Sequence, residues 1–500
     1  MQSQSDQEKF YITTPIFYPN GELHIGHTYT TSICDFFARM ARLAGKQTYF
    51  LTGADENSLK IQNKADEVGQ DVIEYLDLQA KNVILLFEKL DISYDQYIRT
   101  TNKERHHTGV IALWNNLVEK GDIYEGFYEG FYCVGCESFK TEKDLVDGLC
   151  PDHGTKPDFI KEKNYFFKLT KYAEKVKESL LNNTIKIFPE SRKNEALKII
   201  ENDLFDISFS RPNKGQANVI PVPGDQTQGI YVWGDALVNY ISALGYGGSE
   251  GEKQSESLYN MFWNNDLSQS VHVIGKDILK FHAFIWPAML LAADIPLPKN
   301  IIVHGLMQSG GRKMSKTIGN VISPVDMINK IGVEGLRFYF ANNIPIFDDG
   351  EITEDLIVSN YNGYLSNGLG NLTNRLIKMM ISYDVSVNFD SIENTDLYKR
   401  LDENLNKTLI DFDINSYTNY LWKELSAIDA DIQTKEPFKL FKINPDEARK
   451  IVENLLLRFY TIILFIEPIL PKTVPTIIKH IQDREMPEKP LFPKVEMEIN

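Results

Sequence analysis

The stretch Phe10-Tyr11-Ile12-Thr13-Thr14-Pro15-Ile16-Phe17-Tyr18-Pro19-Asn20-Gly21-Glu22-Leu23-His24-Ile25-Gly26-His27 decides how this chain begins to fold. Residues 10–18 are rich in β-branched and aromatic side chains, which predicts a buried strand. Pro19-Asn20-Gly21 is a strong turn signal and ends it. From about Gly26 the apolar residues Tyr29, Ile33, Phe36, Phe37, Met40 and Leu43 recur at helical spacing, and Gly45 closes that helix. A second strand is expected at 47–51. Strand, turn, helix and strand in this order open a parallel α/β nucleotide-binding sheet, whose ligands collect at the carboxyl ends of the strands. His24-Ile25-Gly26-His27 falls where the turn enters the helix, among free backbone N–H groups at the positive end of the helix dipole. The two imidazoles add donors for a phosphate oxygen, and Gly26 leaves room for a flat base to approach the backbone.

Outward from this nucleus, helical patterning runs to about residue 120. Residues 121–160 are then rich in Gly, Tyr and Cys with short strand signals, which marks an insertion. Strand signals return at 229–235, 271–275 and 301–304. Beyond about 331 the chain is mostly helical. Asn444-Pro445-Asp446 is a helix start with Asn as N-cap and Pro at the first position. The apolar stripe Ala448, Ile451, Val452, Leu455, Phe459, Ile462 and Ile466 follows, and Pro468 and Pro471 stop it. At 500 residues the chain exceeds one compact core. The expected fold class is therefore α/β: a Rossmann-like parallel-sheet domain (1–119 and 226–330) split by a connective insertion (120–225). A linker region (331–385) and a helical bundle (386–500) complete it.

The 43% hydrophobic and 24% charged composition is that of an ordinary globular protein. No apolar run is long enough for a membrane span, and no secretion signal is visible, so a cytoplasmic protein is expected. The net charge of −16 favours a small-molecule enzyme over a nucleic-acid binder. It does not exclude a local basic stripe, because global acidity suppresses non-specific binding elsewhere.

A second cluster, Gly310-Gly311-Arg312-Lys313-Met314-Ser315-Lys316-Thr317, lies far downstream. Alone it reads as a solvated basic loop. Three cations within five residues after a glycine pair can also meet a triphosphate. Of the four cysteines, Cys34 stands in an apolar stretch and reads as core. Cys133-x2-Cys136-x13-Cys150-x2-His153 supplies three thiolates and an imidazole in two knuckles, which suits a closed, structural tetrahedral Zn²⁺.

The pair of clusters resembles the two signatures of class I aminoacyl-tRNA synthetases, with Thr317 where the second motif usually has Ser. Within that class the chain is similar to methionyl-tRNA synthetases. The resemblance rests on the opening 11–21, on Thr52-Gly53-Ala54-Asp55-Glu56-Asn57, and on Tyr231-Val232-Trp233-Gly234-Asp235-Ala236. It rests above all on Ile274-Gly275-Lys276-Asp277 followed by Phe281-His282-Ala283-Phe284-Ile285-Trp286-Pro287. Many members carry His at the place of Asn57 and a bulkier residue at that of Gly234. The knuckle resembles the single-zinc insertion of some bacterial members.

The resemblance implies ATP-dependent activation of L-methionine, with Mg²⁺ accompanying ATP, and transfer to tRNA(Met). His24, His27, Lys313 and Lys316 would be catalytic. Those four with Gly26, Gly275 and Asp277 would bind ATP. Ile16, Tyr18, Asp55, His282 and Trp286 would bind methionine, Asp55 taking its ammonium. Without the resemblance, Trp286 reads equally as core and His282 as a satisfied buried histidine. Asn371, Arg375 and Phe438 would meet the anticodon, Phe438 standing where a stacking tryptophan is common. A monomer is expected, since no dimerisation module is apparent.

The alternatives are a synthetase for cysteine, leucine, isoleucine or valine, a non-catalytic RNA-binding relative, and a short nucleotidyltransferase. The insertion is too short for an editing domain. His24, His27 and Lys316 are intact, and the helical C-terminal region exceeds what a short nucleotidyltransferase carries.

Overall fold

The computed structural model describes residues 7–496 apart from 20, 22, 134–137, 141, 152–153, 203, 214, 249–252, 310, 314–321 and 391; at 59–60, 138–140, 143, 253–257 and 312–313 it describes the backbone alone. Six parallel strands form the central sheet. Their order is Gln96–Arg99, Gln47–Ala54, Lys9–Thr13, Ser268–Gly275, Asn300–His304 and Lys186–Phe188. The chain starts in the middle, adds strands on one side, and returns much later to add strands on the other. The switch in direction lies between Lys9–Thr13 and Ser268–Gly275, where a crevice opens at the strand ends.

The first strand is shorter than its composition suggests. Pro15 has no N–H to donate, so ladder pairing stops at Thr13. The chain stays extended beside the second strand, with Phe17 N donating to Gly53 O at 3.0 Å and Asp55 N to Phe17 O at 3.0 Å. The strand expected at 229–235 is corrected as well. Asp225–Ile230 is strand, but Val232–Asp235 is a short helix, because Asp235 turns inward to buried partners. The third strand, Gln96–Arg99, is too short and polar to register in the patterning.

Alternation along the strands builds two cores, one on each sheet face. Phe10, Ile12, Val271, Val273 and Ile302 join the first helix, Ile25–Leu43, and the C-terminal helices. Tyr11, Leu51, Ile274, Ile301 and Val303 join Trp114, Trp263 and Trp286 on the other face. Cys34 is buried in the first helix, as its apolar surroundings predict.

The insertion holds an antiparallel sheet of four strands, while its segment Lys186–Phe188 returns to the edge of the central sheet. Its two principal strands, Ile123–Cys133 and Asp158–Phe167, are long, not short as expected. Pro324–Asn343 then starts the helical part, and Pro445–Ile466 is its longest helix, jointly with Ile414–Lys435, capped by Asn444 as predicted.

One buried ion pair ties these parts together. Arg337 Nη2 lies 2.7 Å from Asp35 Oδ2, with both side chains fully buried. The same guanidinium donates to Ile469 O at 3.1 Å, Pro468 O at 2.9 Å and Leu90 O at 3.3 Å. Burial pushes the Asp35 carboxyl up, but Arg337, Arg39 and the Ser93 hydrogen bonds outweigh it and hold the group below its ordinary 3.8. Its stabilisation is therefore complete above that value and is lost as pH falls through the lower folded one. Replacing Arg337 by Met takes one of two cations from this buried carboxylate, which keeps Arg39 and Ser93, and strands three carbonyls. The urea midpoint of Arg337→Met should fall by the equivalent of about 3–5 kcal/mol.

Candidate active site

The crevice at the switch point is entered by the turn that His24 caps. His24 Nδ1 accepts the Gly26 N–H at 3.0 Å, and His27 Nδ1 accepts the His24 N–H at 3.2 Å. This reciprocal cap fixes both rings, 3.8 Å apart between centroids. With each Nδ1 accepting, the proton of each neutral ring sits on Nε2, the tautomer that can donate to a phosphate oxygen. Gly26 is required locally: a Cβ there would stand 2.8 Å from His24 Cε1. The glycine thus accommodates the capping ring, a constraint the tetrapeptide alone does not reveal.

One turn later, Thr30 Oγ1 lies 2.9 Å from His304 Nε2. His304 ends the strand Asn300–His304 and pairs in register with Gly275. Burial lowers its pKa, so it stays neutral, with Nδ1 donating to Gly305 O at 2.8 Å. Sequence reasoning missed His304; its place at the end of an apolar strand, directly before a glycine, was the available signal. Gly275 lies across the crevice, and a Cβ on it would strike Asp277 Oδ1 at 2.6 Å. The structure therefore gathers His24, Gly26, His27, Gly275 and Asp277 at adjoining strand ends.

The hairpin leading to the second cluster is Met307–Ser309 and Arg312–Lys313, paired with Gly350–Glu351 in a three-stranded sheet. Asp349 braces it, accepting from Leu306 N at 2.8 Å, Gln308 Nε2 at 3.0 Å and Lys276 Nζ at 3.1 Å. Lys313 lies on this platform by its backbone, in register with Gln308. Met314, Ser315, Lys316 and Thr317 lie outside the described residues.

Beside the His24 turn is a cavity of about 140 Å³ whose lining includes Ile16, Tyr18, Asp55, Trp233, Tyr240 and His282. His282 Nδ1 donates to Ile278 O at 2.9 Å, so Nε2 accepts the Tyr240 O–H at 2.7 Å. Burial pushes His282 down to about 4, and the Tyr240 hydroxyl up. Both are therefore neutral near pH 7. The cavity is apolar, with the Asp55 carboxylate in its wall and a neutral polar pair opposite. Trp286 is not in the wall. It lies one layer deeper, fully buried, its ring 5.9 Å from that of Tyr240. Tyr240 and Trp233 were not singled out from the sequence. Gly234 is explained by Phe209, whose ring would meet a Cβ at 3.1 Å.

Cys133 closes the long strand Ile123–Cys133, and Cys150 sits in a turn where Gly154 N donates to Cys150 O at 2.7 Å. Both are buried. Cys136 and His153 lie outside the described residues, and among the described residues no group of three ligands assembles. In the helical part, Asn371 opens Asn371–Ser382, and Arg375 pairs with Asp429 one turn on. Phe438, 45% exposed, sits on Pro437–Leu440. Both elements pack on Pro445–Ile466.

A parallel sheet with a histidine-capped helix at its switch point, a glycine hairpin after its last crossover and a helical C-terminal part defines a class I aminoacyl-tRNA synthetase. The family model for class I tRNA synthetases (M) matches residues 10–156 and 144–377. The methionine–tRNA ligase of Clostridium acetobutylicum is 39% identical over 479 residues, covering 94% of this chain and 72% of that one. That of Clostridium tetani is 39% identical over 481 residues, covering 94% and 73%. The solved Mycobacterium tuberculosis methionyl-tRNA synthetase in complex with methionyl-adenylate superposes with a TM-score of 0.86 at 30% identity, covering 97% and 100%. The chain belongs to the methionine branch of the class I tRNA synthetases.

The neutrality of His282 is directly measurable. Its ring resonances should show no titration from pH 5.5 to 8 by NMR, since its value near 4 lies below that window.

Proposed function

We propose that the chain activates L-methionine with ATP, releasing pyrophosphate, and then transfers the methionyl group to the 3′ end of tRNA(Met). The observation that carries this reading is the adjacency of the two subsites: Ile16 and Tyr18 line the apolar cavity with Asp55, and Phe17 between them sets its ring 5.2 Å from that of His27 in the His24–His27 cap. Asp55 holds the α-ammonium, and the thioether enters between Ile16, Trp233 and Tyr240, above Trp286. Tyr18 stands at the rim. The neutral Tyr240–His282 pair offers no charge to attract a polar competitor. Discrimination against near-isosteres is modest, because one methylene is worth only about 1–3 kcal/mol.

In the first step a methionine carboxylate oxygen attacks the α-phosphorus in line, and the bond to pyrophosphate breaks. His24 and His27 donate through Nε2 to oxygens that gain charge, beside Gly26. Gly275 and Asp277 flank the nucleotide on the opposite strand end. Lys313 and Lys316 follow the triphosphate, which arrives with its Mg²⁺. In the second step a hydroxyl of the terminal ribose attacks the adenylate carbonyl and AMP leaves. No enzyme nucleophile is used; positioning and charge do the chemistry. Asn371, Arg375 and Phe438 read the anticodon on the helical part, and the enzyme works in the cytoplasm. Residues 1–119 and 226–330 carry the chemistry, 120–225 the insertion, 331–385 the stem contact with Asn371 and Arg375 at its anticodon end, and 386–500 the rest of the anticodon contact.

Cys133, Cys136, Cys150 and His153 hold a structural Zn²⁺ in this reading. The residues present fit: around the buried Cys133 and Cys150, Phe127, Val146 and Phe159 are mostly exposed, so the lobe has little apolar core of its own. The metal cross-links the lobe and takes no part in the reaction.

Pyrophosphate exchange into ATP should be stimulated by methionine alone among the amino acids. Lys316→Ala should slow that exchange by about 10²–10³-fold while methionine binding is nearly unchanged; equal losses in both would remove the lysine from catalysis. Metal analysis should find zinc in the purified chain and its loss in Cys150→Ser.

A further inference from the structure

Asp235 is fully buried, and each of its carboxylate oxygens is held by a different part of the chain. His106 Nε2 lies 2.6 Å from Oδ1, and Asn57 Nδ2 donates to Oδ2 at 2.6 Å. The other ring nitrogen of His106 lies 2.9 Å from Ser242 Oγ, and both residues are fully buried. An oxygen at each ring nitrogen leaves the imidazole one orientation. None of His106, Asp235 or Ser242 belongs to the lining of the amino-acid cavity. They reach it by two routes: through Asn57 to the turn of Asp55, and through Trp233 and Ala236, the lining residues nearest Asp235 on either side in the chain.

Asn57 stands two residues after Asp55 in the turn that follows the second strand. Its backbone N–H lies 3.4 Å from Asp55 Oδ1, and its amide also donates to Ile230 O at 3.1 Å. The rest of the turn is pinned from outside: Asn218 Nδ2 donates to Glu56 O at 2.8 Å, and Glu56 N donates to Thr100 Oγ1 at 2.9 Å. A turn carrying a substrate-binding carboxylate must be rigid, because the strength of an ion contact in a partly dry pocket depends steeply on distance. The Asn57 amide ties this turn to the opposite wall through Asp235 and Ile230 O, and the shorter bond is the one to Asp235, whose short helix also carries Val232 and Trp233.

We infer that Asp235, oriented by His106, is a positioning residue for the amino-acid substrate: it acts through Asn57 to fix the turn that places Asp55 against the α-ammonium. This rests on the reading of Asp55 as the ammonium site. The family's more common His at position 57 fits the same logic, because a ring N–H can replace the amide donor. It has room to do so, since Asn57 borders a second cavity of about 240 Å³.

The test uses Asn57→Leu, Asn57→His, Asp235→Asn and Asp55→Asn in the whole chain. Methionine and ATP KM and kcat are measured by pyrophosphate exchange. Inhibition by γ-methylthiobutyrate, which is methionine without its amine, is measured alongside. Asn57→Leu and Asp235→Asn should raise the methionine KM about tenfold or more. They should leave the ATP KM and the inhibition by the amine-free analogue unchanged, and Asn57→His should stay near the unchanged chain. Equal weakening of methionine and the analogue, an unchanged KM in Asn57→Leu, or Asn57→His behaving like Asn57→Leu overturns the inference. If Asp235→Asn does not fold, Asn57→Leu tests the same bond from its other end. Asp55→Asn separates the two readings. It should weaken methionine and spare the analogue, and an unchanged methionine KM there removes the ammonium assignment itself.

Discussion

A single guanidinium holds the two halves of the catalytic apparatus in one frame. Asp35 lies on the helix that His24 caps, and Arg337 lies on the helix that follows the lysine hairpin. Pro468 and Ile469, which accept from the same Arg337, close the longest helix of the C-terminal part. A buried ion pair is a poor source of net stability, because two charges must be taken out of water. What it imposes is geometry. Arginine satisfies a carboxylate and three carbonyls at once only when the three elements meet in one arrangement. The adjacent rings reinforce this, with Phe36 5.0 Å under the guanidinium. Phosphate donors and lysine hairpin are therefore set against each other by an interaction that neither of them makes.

Within that frame the site separates charge by compartment. On the proposed nucleotide side, the His24 and His27 rings stand at the cap of the first helix, with Gly275 at the end of its strand. On the proposed amino-acid side, burial keeps His282 and Tyr240 neutral, and Asp55 is the carboxylate in the cavity wall. The separation suits a substrate that is a zwitterion at one end and a thioether at the other. The array Asp235–His106–Ser242 has the residue types of a hydrolytic triad. It is wholly buried and away from the cavity lining, so packing and not chemistry accounts for it.

Much of this was legible in the chain itself, for identifiable reasons. The helix from Ile25 announced itself by a 3.6-residue apolar period, and the helix at Pro445 by its Asn-Pro start. The first strand was read too long, because its β-branched and aromatic residues continue past Pro15 while its regular ladder ends at Thr13 and leaves only an isolated bridge at Phe17. Residues 229–235 were read as strand because Tyr, Val and Trp favour one. The buried partners of Asp235, which turn that segment into a helix, come from positions 57 and 106. No local pattern carries such information.

The sequence by itself determined the strand–turn–helix at His24, the class of chemistry and part of the cavity lining, Ile16, Tyr18, Asp55 and His282, because those depend on residues near one another or on segments recognisable as units. Tertiary structure alone decided that Gly26 makes room for the ring of its own N-cap, that Trp286 stands behind Tyr240 and outside the cavity wall, and that His304 meets the first helix through Thr30. It also decided that Arg337 and Asp35, some 300 residues apart, are partners. The physical reason is the same in each case. Burial and hydrogen-bond satisfaction are properties of surroundings assembled from distant segments, and they come into being only when the sheet has closed its order.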